Sequence, residues 1–231
     1  MTMYSSMITR RGVLVGITAS GLTGCSHPNR LSALSRPLDR PNEVYGIRNA
    51  RFSPADRRAL TEEGQRALER ETASLGRLGR LLPPAYYLAV SGGGDDGAFG
   101  AGLLVGWSQQ GGRPDFKLVT GISTGALIAP FAFLGRDYDP ALEAVYTGIN
   151  QDNVLVQRSL LAAVTDDALA DSTPLFGLIS HYVDDAMMAA IAREYDRGRL
   201  LLIATINLDH GRSVIWNSVP SPRAGVPKQR L

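Results

Sequence analysis

At 231 residues, with 44% hydrophobic and 20% charged side chains, the chain has a globular composition and enough length for one sizeable core. Its formal charge of +2 comes entirely from Arg10 and Arg11, because residues 1–24 hold no acid, so the remainder is neutral. With aromatics at 7% and no basic stripe interleaved with them, nucleic acid is excluded as a partner in favour of a neutral or membrane-borne one, and a single cysteine excludes an intramolecular disulfide and a multi-cysteine metal site.

Arg10 and Arg11 precede the apolar run from Gly12 to Leu22, and small Thr23 and Gly24 lead to Cys25. That order is a charged region, a short hydrophobic region and a processing site. The apolar run is too short for a hydrocarbon core of ~30 Å, which takes about 20 residues. Leu22-Thr23-Gly24-Cys25 resembles a bacterial lipobox. The resemblance implies that residues 1–24 are a lipoprotein signal peptide and that Cys25 is acylated. Non-acidic Ser26 then implies the outer membrane of a Gram-negative bacterium, on the periplasmic side. The alternative is an ordinary secretion signal with an incidental cysteine. Residues 25–52, with Pro28, Pro37 and Pro41 and no apolar periodicity, read as a tether.

Ser53-Pro54-Ala55-Asp56 predicts a helix start, with Ser53 as N-cap and proline in the first turn. Leu60, Ala67, Leu68, Leu75, Leu78 and Leu82 continue it at helical spacing until Pro83-Pro84, giving an N-terminal helical segment over 53–84. The charge-rich side of this helix reads as a solvated face.

Tyr86–Val90 is a run of strand formers cut off by Gly92, Gly93 and Gly94. After Gly97, Ala98–Gln109 predicts a buried helix whose small residues Ala98, Gly100, Ala101 and Gly102 allow close packing against a sheet. Gly111-Gly112-Arg113-Pro114 turns the chain into a second strand, Phe116–Thr120, which ends at Gly121-Ile122-Ser123-Thr124-Gly125. Gly92 and Ser123 lie 31 positions apart, matching one βαβ unit of roughly 30 residues. Such a crossover makes the strands parallel and brings both glycine turns to the carboxyl edge of the sheet, where open α/β sheets bind ligands. There the G-x-S-x-G turn would expose the Ser123 hydroxyl between Gly121 and Gly125, and amides of Gly92, Gly93, Gly94 and Gly97 could hold an oxyanion. A phosphate-binding loop is the competing reading of the same glycines. No Lys-Ser/Thr follows them, and Asp95 and Asp96 inside the loop would repel phosphate.

Farther on, Ser172-Thr173-Pro174 predicts a helix to about Tyr182, and Asp184 caps another through Tyr195 with Met187, Met188 and Ile191 facing inward. Leu200–Ile206 is a strongly apolar strand, and Asn207–Gly211 turns into a hairpin strand over Ser213–Trp216. His27, His181 and His210 fall in the tether, on a helix and in a turn. None has a catalytic setting. The aspartates Asp152, Asp166, Asp167, Asp171, Asp184 and Asp185 show no metal-ligand spacing with histidine, so neither a metal nor a cofactor is expected.

The loop, the nucleophile turn and the spacing between them make the chain from Tyr87 to Asn217 resemble the bacterial patatin-like phospholipases, which are serine lipid acyl hydrolases. The resemblance implies a three-layer α/β/α fold with a mostly parallel central sheet, spanning residues 85–231. It also implies a lipid ester substrate and a Ser–Asp dyad in which Ser123 is the nucleophile. Family members often place an arginine or lysine just before the last loop glycine, where this chain has Asp96. The dyad's aspartate belongs to a later D-G-G or D-G-A triplet. Asp96-Gly97-Ala98 has that form but precedes the nucleophile, and Asp209 sits in a turn that the resemblance marks as structural. No acid follows Asn217, so the expectation is a domain whose C-terminal part is missing. Two functions remain open at this point: a membrane-anchored serine lipid acyl hydrolase, or a truncated or degenerate non-catalytic lipoprotein lacking the base. The sequence does not fix the oligomeric state.

Overall fold

The computed structural model describes residues 43–44, 47–76, 82–148, 156–157, 170–171, 173–207 and 211–218. The expected signal peptide, the expected acylation site Cys25, His27, Asp152, Asp166, Asp167, Asp209 and His210 lie outside them. The chain divides into two compact units. One, 33–156 with 172–231, carries the sheet and the helices below. Short strands β4 (Val156–Gln157) and β5 (Ala170–Asp171) pair as a separate two-stranded ribbon.

The main sheet has five strands: β1 (Arg51–Phe52), β2 (Tyr87–Val90), β3 (Leu118–Ile122), β6 (Leu200–Asn207) and β7 (Arg212–Asn217), in the order β1-β7-β6-β3-β2. β2, β3 and β6 are parallel neighbours, with Leu88 opposite Val119 and Val119 opposite Leu201. β7 turns back antiparallel to β6 and pairs antiparallel with β1 on its far side, so β7 alone is reversed. The fold is α/β with a mixed, mostly parallel sheet flanked by helices, as expected.

Helix α2 (Gly97–Gln109) crosses from β2 to β3, and α3 (Thr124–Leu134) leaves β3 directly. A right-handed crossover puts both on one face of the sheet. The core confirms that placement. Val119 and Leu201 share one buried cluster with Ala101 and Leu104 of α2, Ile128, Ala129 and Phe133 of α3, Leu142 and Val145 of α4 (Asp139–Gly148), and Met187 and Ile191 of α6 (Asp185–Asp196). On the opposite face Tyr87, Ile122 and Ile206 are exposed.

Helix α3 is the centre of this packing. Ile128 through Phe133 are all buried, as expected for a helix that is apolar all round. Its last carbonyls are gripped by two arginines. Arg113 Nη2 donates to Ala132 O at 3.4 Å while its Nη1 meets Asp139 at 2.6 Å. Arg199 donates to Phe133 O, and its Nε donates to Phe116 O at 2.8 Å. Cations at a helix C-terminus satisfy orphan carbonyls and complement the dipole. The helix bearing the serine turn is therefore fixed at its far end.

Several boundaries differ from expectation. Helix α1 runs from Arg57 to Ser74 and is capped by Asp56, whose carboxylate accepts from Ala59 N at 3.0 Å; Ser53 instead accepts from Ala55 N. It stops at Leu75 because Gly76 adopts φ +60°, not at the later prolines. Arg51 and Phe52, read as the end of a tether, add a strand to the sheet, and Phe52 is almost fully buried. Helix α2 packs closely on α3 and α4, with Gly100 facing Ile128, and its Ala101 and Leu104 join the strand residues in the core. In α6 Asp184 caps as expected, accepting from Met187 N at 2.8 Å, and Met187 and Ile191 are buried. Met188 is 41% exposed, because the buried stripe runs through Ala190 instead.

Buried charge anchors α1. Glu63, 1% exposed, accepts from Asn49, Arg70 and the Tyr195 hydroxyl at 3.0, 3.1 and 2.8 Å. Burial first, and then the hydrogen bond to Glu63, push the Tyr195 phenol far above its ordinary range. Glu71 pairs with Lys117 just before β3, and the α1 backbone at Ala67 and Glu71 lies against Gly198 just before β6. Helix α1 thus runs along the amino-terminal edge of the sheet, opposite the two glycine turns.

Candidate active site

The parallel pairing of β2 and β3 brings the turn after Val90 beside the turn after Ile122, so Gly92 and Ser123 meet at the carboxyl edge. Four glycines make the approach possible. A Cβ on Gly125 would lie 2.3 Å from Val90 O and 2.6 Å from Ser91 O. One on Gly121 would lie 2.4 Å from Gly125 O and 2.8 Å from Ala129 Cβ. One on Gly92 would lie 2.8 Å from Ser123 Cβ and 3.4 Å from its Oγ. One on Gly97 would lie 2.3 Å from Thr124 Oγ1. None of these gaps admits a methyl group, so the turn glycines are set by contact between the loop, the strand and α3.

Ser123 itself has φ +55° and ψ −129°. With Asn49 it is one of two described non-glycine residues at positive φ. That conformation costs on the order of 1–3 kcal/mol and persists where the surroundings over-determine it. It lifts the serine out of the strand and caps α3, leaving its side chain exposed. The first amides of a helix have no intrahelical acceptor, and they carry the positive end of its dipole. Those of Thr124 and Gly125 lie next to the Ser123 hydroxyl in the chain. Ala126 N is already used, donating to Ser123 O at 2.9 Å.

The glycine loop closes through a 3₁₀ turn over Gly94–Asp96. Asp96 N donates to Gly93 O, and Gly97 N is directed at Asp95 O and Gly94 O. These inward bonds leave Gly92, Gly93 and Gly94 as the exposed glycines of the loop. Gly97, expected among the oxyanion donors, is buried and lies against Thr124. Asp95 and Asp96 occupy the turn that feeds the N-terminus of α2, where acidic groups complement a helix dipole.

Thr124 is held from the other side. Its Oγ1 lies 2.9 Å from the Tyr146 hydroxyl in α4, which also reaches Thr124 O at 3.3 Å. Burial raises the Tyr146 pKa, while the Thr124 hydrogen bond offsets that in part, so the phenol stays protonated. No sequence motif marked Tyr146, and only the packing of α4 on α2 and α3 reveals it.

His181, read in the sequence as having no catalytic setting, is exposed on α5 (Thr173–Tyr182), its ring edge-on to Tyr182 at 4.9 Å. Among the described residues no group of three or more His, Cys, Asp or Glu suits a metal ion, and no helix is long and apolar enough to cross a membrane.

The arrangement of strained serine, glycine loop and helix N-terminus is one that can present a nucleophile and stabilise negative charge beside it. A family model described as patatin-like phospholipase matches residues 88–214, just over half of the chain. Neither a curated protein nor a solved structure matches. From Leu88 in β2 to Val214 in β7 the match covers the glycine loop, the serine turn and the parallel core, and the chain belongs to the patatin-like phospholipase family.

Proposed function

We propose that the protein is a serine lipid acyl hydrolase, of phospholipase A or esterase type, in which Ser123 attacks the ester carbonyl. The observation that carries this reading is the positive φ of Ser123 at the N-terminus of α3, with Gly92 in contact with its Cβ. The amides of Gly92, Gly93 and Gly94 and that of Thr124 would hold the developing oxyanion, a single such donor being worth ~10²–10³ in rate. The acyl-enzyme is then hydrolysed, with an aspartate of the family's D-G-G or D-G-A triplet as the base in a Ser–Asp dyad. The substrate is a membrane lipid or lipid ester, and acylated Cys25 would hold the enzyme at the periplasmic side of an outer membrane. Each buried acyl CH₂ adds about 0.8 kcal/mol to such anchoring.

The second reading is a non-catalytic relative that keeps the nucleophile and lacks the base. Loss of the base costs at least ~10²-fold. Hydrolysis of short-chain esters separates the two: turnover abolished by Ser123→Ala supports the enzyme, and equal rates from both proteins sink it. Palmitate incorporation in a bacterial host is expected to vanish in Cys25→Ser, and its retention there would refute the anchor.

A further inference from the structure

We infer that Tyr146 is a positioning residue that fixes the gap between the serine turn and the glycine loop, an assignment that rests on the hydrolase reading above. The geometry has three parts. Tyr146 OH lies 2.9 Å from Thr124 Oγ1 and 3.3 Å from Thr124 O. Both bonds form together only when the tyrosine donates to the carbonyl and the threonine hydroxyl donates to the phenol oxygen. That arrangement fixes the Thr124 rotamer. On its other side Thr124 meets Gly97, where a Cβ would sit 2.3 Å from Oγ1 and 2.9 Å from Cγ2. Thr124 is therefore a wedge, with α4 behind it and the glycine loop in front.

Thr124 directly follows the strained serine and carries the first amide of α3, so its placement sets where Ser123 Oγ and the loop amides stand relative to each other. A phenol is protonated through the neutral range and burial raises the Tyr146 pKa further, so it remains a donor to the Thr124 carbonyl. Without the phenol, the threonine side chain can turn, and the loop is no longer braced at Gly97. A misplacement of ~1 Å at reacting groups can cost ~10²-fold.

Two measurements test this. The first is the rate of fluorophosphonate labelling, resolved into a maximal rate constant and a half-saturating concentration, for wild type, Tyr146→Phe, Thr124→Val and the double variant. The expected result is a fall of about 10-fold or more in the rate constant for each single variant, with half-saturation little changed and the double variant no slower than the slower single. The second is hydrogen exchange across 118–128, which needs no chemistry at Ser123. It should speed up in Tyr146→Phe and in Thr124→Val and stay unchanged in Ser123→Ala. Wild-type exchange in both variants overturns the assignment, as does a double variant whose loss is the product of the two singles. If Tyr146→Phe fails to fold, Thr124→Val, which keeps the side-chain volume, decides by the same readouts. Labelling absent from wild type would undo the hydrolase reading alone, and exchange would then decide the positioning.

Discussion

Gly125→Ala is the sharpest mechanical test of the site. The added methyl would sit 2.3 Å from Val90 O and 2.6 Å from Ser91 O, against ordinary contacts beyond 3.4 Å. Both obstacles are backbone, one at the end of β2 and one in the glycine loop, so no flexible side chain can move aside. Relief requires α3 to retreat from the sheet or β2 to part from β3. Overpacking ordinarily costs ~1–3 kcal/mol, and a rigid double clash belongs at the upper end. For a domain of this size ~3 kcal/mol lowers Tm by about 6–12 °C, at ~2–4 °C per kcal/mol. The control is Gly102→Ala in α2, where a Cβ meets nothing within 4 Å. There the helix gains up to ~1 kcal/mol in propensity and Tm should rise slightly. Paired thermal melts by circular dichroism read both. A Gly125→Ala variant that melts with wild type would refute the contact account of the serine turn.

Ser123→Gly removes the Cβ from a positive-φ position and should raise Tm by a few degrees while abolishing ester hydrolysis, a trade expected where strain serves function. An unchanged or lowered Tm would mean that the turn is not strained. Alkaline unfolding should report Tyr195, whose folded pKa is raised by burial and by Glu63. Above about pH 10 the unfolded chain releases this proton while the folded protein keeps it, so stability is full below that pH and falls as pH rises past it. Denaturant melts from pH 9 to 11 should show that decline in wild type and a shallower one in Tyr195→Phe; equal slopes would contradict the assignment.

What was legible in the sequence is what short-range chemistry dictates. Gly92, Gly97, Gly121 and Gly125 mark places where backbone must touch backbone or the neighbouring side chain, and such needs leave a residue-type signature at fixed spacing. The parallel pairing of β2 with β3 followed from that spacing, because a 31-residue crossover leaves little topological choice. The cap at Asp184 was equally local. What escaped depends on distant partners. Arg51 and Phe52 become a strand only because β7 offers an edge, and two residues carry no period of their own. The end of α1 is decided by Gly76 rather than by the leucines that continue the pattern. Arg113 reads as a turn residue and no motif marks Arg199, yet they bind the last carbonyls of the helix that presents Ser123. Tyr146 sits 22 positions from the threonine it holds, and no motif announces the pair.

The central claim is that Ser123, held at positive φ against the glycine loop, is a nucleophile. Treating the purified protein with a fluorophosphonate and mapping the adduct by peptide mass spectrometry tests it most directly. The account predicts modification on the peptide containing Ser123 and none in Ser123→Ala. Modification on another residue, or an equal adduct in both proteins, would contradict it.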